Sequence, residues 1–448
     1  MTETTDASVS TGPSLKRRAI RGSFWVIGGT GISQGARFAS SLILTRLLFP
    51  EALGQMLVVT IFMQGLHMFL DFSIGTSIIQ NKRGNEPEFL RTAWTVQIVR
   101  GFIIWLCACA IAWPAAMAYG QPEIIGLLSA AAFVSVIEGF HSTVLATLDK
   151  NLIVGKQTRI EVGTQLAGIV ATICVCYLFP SVWSLLVGSY TTAIVKLVVS
   201  HKVYGGVRMG LRWEAQARAE LFHFGKWLLL SSVLGFILSR SDRLVLGYLG
   251  IGTLGVSSLA YNLTQAPIDV AATLSSRILY PLYAQLIHHN PADLRRKVLR
   301  ARAGTAALSL PLLCGLSVFG PLLIRLCYDK RYDDATWMLT LIAGGATVPA
   351  ITNSISQTLL AVGDSFRFML LLVSRSCLLI VSMTVAGKLY GVPGILLSTA
   401  VAELLNYPML AYCVRKHGMW LPWLDGALFV VSLTAIGAGL ELHNLGYF

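Results

Sequence analysis

Thirteen apolar stretches, most long enough to cross a ~30 Å hydrocarbon core, follow one another along the chain with short polar breaks between them. They read as 22–45, 52–79, 92–117, 123–148, 160–179 and 181–200. A second series follows at 222–249, 254–286, 301–320, 335–362, 367–387 and 391–413, with a thirteenth candidate at 425–441. A bilayer offers the backbone no water to bond, so spans of this kind must be helices. Soluble domains carry roughly 25% charged residues; here 13% are charged, 54% are hydrophobic and the mean hydropathy is +0.66. The expectation is an all-α polytopic membrane protein.

One long polar break, HKVYGGVRMGLRWEAQARAE from His201 to Glu220, divides the series. The expected organisation is a disordered tail at 1–20, a six-helix lobe at 21–204, a linker at 205–221, a second six-helix lobe at 222–414 and an extension with one helix at 415–448. Sliding the chain by 201 residues lays Leu48–Gln64 over Leu249–Gln265. Leu53 and Gly54 then fall on Leu254 and Gly255, and Gln64 falls on Gln265. Two lobes with an even helix count keep their orientation, so a pseudo-two-fold axis would run along the membrane normal.

The formal net charge is +13, yet the basic residues cluster in short breaks rather than on a face that fits nucleic acid. One side collects Lys16, Arg17, Arg18, Arg21, Lys82, Arg83, Lys150, Lys156 and Arg159, then Arg295, Arg296, Lys297, Arg300 and Arg302, among others. The opposite side gets only Arg46, Arg325, Lys330, Arg331 and Lys388. Positive loops mark the cytoplasmic face, which places the N-terminus inside. The stretch after the polar start lacks a small-residue cleavage site, so it reads as a helix and not a leader.

Chemistry of the enzymatic kind is thin. The eight cysteines lie mainly in apolar runs without metal-ligand spacing, and His67, His141 and His223 are isolated. The stretch GGTGISQG mimics a phosphate loop, but no strand precedes it. Gly28, Gly31 and Gly35 are expected to let another helix approach closely. No metal and no cofactor is expected.

Charges within spans carry the functional reading, because Arg or Asp at a helix centre costs about 2.5–3.5 kcal/mol on insertion scales. Arg46, Arg100 and Lys196 lie near span ends, where snorkelling is the simple account. Arg37, Arg240, Arg243, Arg277 and Arg375 are candidates to line a cationic cavity. Asp71, Asp242, Asp269 and Glu403, with Gln64 and Gln265, are candidates for coupling or gating; structural ion pairs are the alternative. In SRSDRLVLGYLG, Arg240 and Arg243 share a helical face while Asp242 does not face either. Asp242 is therefore expected to reach another helix, with Arg37 or Arg375 as its partner.

The segments RGSFWVIGGTGISQGARFASSLILTRLLFPEALGQ, SDRLVLGYLGIGTLGVSSLAYNLTQAPID and SRILYPLYAQL resemble the polysaccharide-transport branch of the multidrug, oligosaccharidyl-lipid and polysaccharide exporter superfamily. The resemblance covers residues from about 20 to 415. It implies a non-enzymatic flippase of the bacterial inner membrane. Its cargo would be an undecaprenyl-diphosphate-linked oligosaccharide for O-antigen, capsule or exopolysaccharide, carried by alternating access. Membrane lipid, a polysaccharide polymerase and export machinery are the implied partners; nucleic acid is not. A cation-coupled drug exporter of the same fold and a membrane polymerase or ligase are the alternatives.

Overall fold

Proline and glycine punctuate the helices. Pro50 and Pro87 occupy the first turns of two of them, where a missing N–H costs nothing, and Gly120 ends the second of these with φ +62°. The computed structural model describes residues 15–70, 86–150, 154–202, 210–214, 238–274, 294–362, 364–417 and 419–444, with the single positions 74, 78, 83, 235 and 236.

The helices are α1 (Leu15–Leu47), α2 (Pro50–Phe69), α3 (Pro87–Tyr119), α4 (Glu123–Gly139), α5 (Val144–Lys150), α6 (Val154–Leu178) and α7 (Val182–Lys202). Then come α8 (238–249), α9 (Ile251–Leu274), α10 (Leu294–Cys327), α11 (Ala335–Val362), α12 (Ser365–Tyr390), α13 (Val392–Arg415) and α14 (Pro422–Asn444), with a 3₁₀ turn at Lys330–Tyr332. Among the described residues nine helices are long and apolar enough to cross a membrane, and every regular element is helical. The protein is an all-α, multi-pass membrane protein.

One expected span is broken. The stretch 123–148 divides into α4 and the short α5, because side chains take over the backbone bonds at the break. Gln97 Nε2 donates to the carbonyls of Glu138 (3.0 Å), Gly139 (3.2 Å) and His141 (3.2 Å). Trp94 Nε1 and His201 Nε2 donate to the Phe140 carbonyl at 3.3 and 2.9 Å. The orphan carbonyls of a helix end need such partners, and here neighbouring helices supply them.

Helices early in the chain pack on one another, α3 on α4, α6 on α7 and α1 on α6; late helices do the same, α10 on α11 and α12 on α13. The two groups meet chiefly where α2 lies against α9. A Cβ on Gly54 would collide with the Ile251 carbonyl, and one on Gly255 with the Pro50 carbonyl. The same end of the bundle, opposite the basic clusters, carries three more joints. Arg331 Nη2 donates to the Arg46 carbonyl at the end of α1 (3.1 Å), Tyr332 Oη donates to Leu48 (3.1 Å), and Tyr119 Oη to Leu244 (3.1 Å). A guanidinium on the last carbonyls of a helix also complements its dipole.

At the basic end, residues 210–214 lie along the first turns of α3. The backbone N–H groups of Arg212 and Glu214 donate to Thr95 (3.0 Å) and Thr92 (3.3 Å), and Arg83–Glu214 (2.8 Å) and Arg212–Glu88 (3.1 Å) are ion pairs. The thirteenth candidate span is α14, packed on α10 and α11. Arg302, which the sequence reading put in a solvated break, is 1% exposed and paired with the buried Asp425. Tyr407 Oη donates to the other Asp425 oxygen at 2.7 Å.

A cavity divided at Arg37

Among the described residues the expected close approach at Gly28, Gly31 and Gly35 is not seen: a Cβ on any of them would meet nothing within 4 Å, and Gly29 packs on Thr158 instead. Gly35 borders open space beside α1. Two cavities flank it. The first, about 490 Å³, is lined by Arg37, Gln64, His67, Glu138, Gln165 and Thr192, from α1, α2, α4, α6 and α7. The second, about 610 Å³, lies between α1 and α9 and is lined by Gln34, Arg37, Asn262, Gln265 and Tyr328. Arg37, Ser40, Leu44 and Ile169 belong to both walls. Each volume falls within the roughly 300–1,000 Å³ of small-molecule sites. Hydroxyls, amides and one guanidinium at membrane depth suit a polar, anion-bearing occupant. Gln64 and Gln265, superposed by the 201-residue repeat, face different cavities.

The charged triplet resolves differently from expectation. Asp242 pairs with neither Arg37 nor Arg375. Its Oδ2 accepts from Tyr261 Oη of α9 at 2.6 Å and its Oδ1 from the Arg243 backbone N–H at 2.8 Å. The Arg243 guanidinium lies 4.2 Å over the Tyr261 ring, a cation–π contact. Tyr261 thus binds carboxylate and guanidinium at once and ties α8 to α9. The reason is chain proximity: the tight turn at Gly250 brings α9 back beside α8, so the next helix is nearer than any remote arginine. Arg240 lies close enough to Asp269 and Arg243 to feel both charges. Gln265 Nε2 donates to Asp269 Oδ1 at 2.9 Å, at the margin of the second cavity.

Arg375 is ion-paired with Glu403, which is 3% exposed. Thr352 Oγ1 donates to Glu403 Oε2 at 2.9 Å and Arg375 Nη1 to Asn353 Oδ1 at 3.3 Å. These residues tie α11, α12 and α13 together and do not line either cavity. Asp71 and Arg277 lie outside the described residues. Arg100 and Lys196, read as lying near span ends, both line a third, polar cleft with Glu138 and His67. Arg331, Tyr332 and the Arg302–Asp425 pair were not singled out from sequence. Asp425, an acid opening an apolar span, was the available signal. Among the described residues no group of three or more His, Cys, Asp and Glu is arranged to hold a metal ion.

A family model described as polysaccharide biosynthesis protein matches residues 43–336. The chain belongs to that family. The lipopolysaccharide biosynthesis protein WzxC of Escherichia coli (strain K12) is 23% identical over 447 residues, 96% of this chain and 89% of that protein. The succinoglycan biosynthesis transport protein ExoT of Rhizobium meliloti (strain 1021) is 23% identical over 71% of this chain and 64% of its own. Among solved structures, the lipid II flippase MurJ in an inward closed conformation aligns with a TM-score of 0.67 and 12% identity, over 95% of this chain and 93% of its own. An inward-facing multidrug-resistance MATE transporter gives 0.62 at 14% identity, over 88% and 95%. The fold of this family member is that of the MATE-like exporters, and the resemblance read from its sequence is borne out.

Proposed function

We propose that the protein flips a polyprenyl-diphosphate-linked oligosaccharide across the bacterial inner membrane, with its basic end in the cytoplasm and without covalent chemistry of its own. The observation that carries this reading is the pair of cavities sharing Arg37, each with hydroxyl and amide side chains set in a largely apolar wall; Arg240 and Arg243, expected in a cationic cavity, line neither and lie on α8, which packs on α9 through Tyr261. Sugars need hydroxyl and amide partners; a diphosphate needs guanidinium, which binds it through paired hydrogen bonds. Two lobes, α1–α7 (six spans, since α4 and α5 divide one) and α8–α13, would rock about the α2–α9 contact, exposing the cavities to each leaflet in turn.

Arg37→Ala and the Arg240→Ala/Arg243→Ala double variant are expected to lower polymer export at least ~10-fold while the protein still inserts and purifies as wild type. Lipid-linked repeat units should then accumulate on the cytoplasmic face, read by their protection from an impermeant glycosidase added outside. Normal export by both variants, or accumulation on the outer face, overturns the proposal; outer-face accumulation would favour a polymerase.

A further inference from the structure

Beside the 490 Å³ cavity lies a polar cleft of about 220 Å³ whose walls include His67, Arg100, Ser135, Glu138, His141 and Lys196. His67, Ser135 and Glu138 belong to both spaces, so the cleft adjoins the cavity as a neighbouring chamber. Most of its polar groups are anchored. His67 Nε2 is hydrogen-bonded to Ser135 Oγ at 3.0 Å, Arg100 Nη2 donates to the His67 carbonyl at 3.2 Å, and His141 Nε2 donates to the Ala193 carbonyl at 3.0 Å.

Glu138 and Lys196 differ. They carry opposite charges into one cleft and lie close enough to feel each other, yet among the described residues neither side chain makes a hydrogen bond or an ion pair. Glu138 is exposed to the cavities rather than packed away. Lys196 sits six residues, about 9 Å, inside the end of α7, short enough for its stem to reach the interface, but its side chain lines the chamber instead. Glu138 offsets its charge only from a distance, which leaves the ammonium free to contact an arriving anion directly. Arg100 and Lys196 outnumber Glu138, so the chamber is net positive. At about 220 Å³ it is smaller than a site for a whole ligand; it takes a substituent of something larger in the adjoining cavity.

We infer that this chamber is a subsite for an acidic substituent of the cargo glycan, a sugar carboxylate, with Lys196 as its counter-ion. The inference rests on the flippase reading. Arg100, fixed by the His67 carbonyl, supplies a standing positive field behind Lys196. Glu138 is the built-in competitor: its charge offsets Lys196 when the chamber is empty and opposes the incoming carboxylate. The two residues therefore act with opposite sign on acidic cargo, which a merely structural pair would not do.

The test uses the full-length protein in nanodiscs of phosphatidylcholine and two synthetic probes. Both are polyprenyl-diphosphate disaccharides, one ending in glucuronic acid and one in glucose. Wild type is expected to bind the acidic probe ~10-fold more tightly, the scale of one charge-assisted contact. Lys196→Met should remove that preference by weakening only the acidic probe, Lys196→Arg should keep it, and Glu138→Gln should increase it several-fold. Binding of the glucose probe shows that each variant is folded, and failure of wild type to bind it refutes the flippase reading itself. Equal binding of both probes by wild type, or equal loss of both in Lys196→Met, overturns the subsite. So does phosphatidylglycerol in the disc displacing the acidic probe from wild type but not from Lys196→Met, which would make the chamber a lipid headgroup site.

Discussion

Gly54 on α2 and Gly255 on α9 stand in each other's place: each is pressed on the backbone carbonyl four residues before its partner, Ile251 for Gly54 and Pro50 for Gly255. All four positions are related by the same 201-residue offset. The contact is self-complementary, as two-fold joints are.

A side chain at either glycine would force the helices apart, since a carbonyl in a helix cannot yield as a side-chain tip can. Overpacking costs about 1–3 kcal/mol. Gly54→Val and Gly255→Val are each expected to shift the bundle toward opening at that end by ten- to hundred-fold. In a cysteine-free background, a cysteine at Asn262 should then react faster with an impermeant thiol reagent added outside. An unchanged rate would show that this joint does not govern closure.

Tyr261 Oη is the donor to Asp242 that comes from another helix. Removing it in Tyr261→Phe strands a carboxylate oxygen at an expected cost of about 1–3 kcal/mol, while the ring still faces Arg243. The thermal midpoint in detergent should fall for Tyr261→Phe and fall further for Tyr261→Leu, which also loses the cation–π contact. Equal midpoints for wild type and both variants would remove this residue from the α8–α9 tie.

Arg302 and Asp425 are each 1% exposed or less. Breaking a buried pair by deleting one partner costs about 3–5 kcal/mol, whereas replacing both with apolar groups is far milder. Asp425→Asn or Arg302→Met alone should strongly destabilise the protein, and Arg302→Met/Asp425→Leu should recover most of the loss. The readout is the yield of monodisperse protein after heating. A double variant as weak as the singles would contradict a simple ion pair.

Asp364 caps α12 outside the membrane spans. Partial burial works against its ionisation, but the Arg367 backbone N–H (3.2 Å), the Arg367 guanidinium (2.5 Å) and His417 hold its carboxyl below the usual 3.8. A depressed carboxylate stabilises the fold above its unfolded-state value, and that contribution disappears as pH falls through the folded-state value. The stability difference between wild type and Asp364→Asn should thus be constant above about pH 5 and vanish in acid below 3.8. A difference that persists in strong acid would assign the cap no electrostatic role.

The all-helical, multi-pass class and the α2–α9 contact were legible because hydropathy and a 201-residue self-match are properties of the chain itself. Arg37 was legible as a cavity residue for the same reason: an arginine mid-span must face something polar. Its glycine neighbours misled, since spacing shows which residues share a face but not whether that face meets a helix or a void. The partners of Asp242, Arg302 and Arg375 could not be read at all. Each depends on which helices lie side by side, and Tyr261, a residue without a formal charge, decided the first of them. The break of 123–148 was hidden because the apolar pattern runs straight through it; Gln97, Trp94 and His201 impose it from other helices.

Arg37 belongs to the wall of both cavities, and a guanidinium has one charge to give. An anion drawn to it from either room would screen it from the other, so the two rooms would compete for anionic cargo even without any motion of the helices. In kinetic language, a flippase that held its diphosphate at Arg37 would count to one: a second could not queue behind the first, and each crossing would empty the site before the next began.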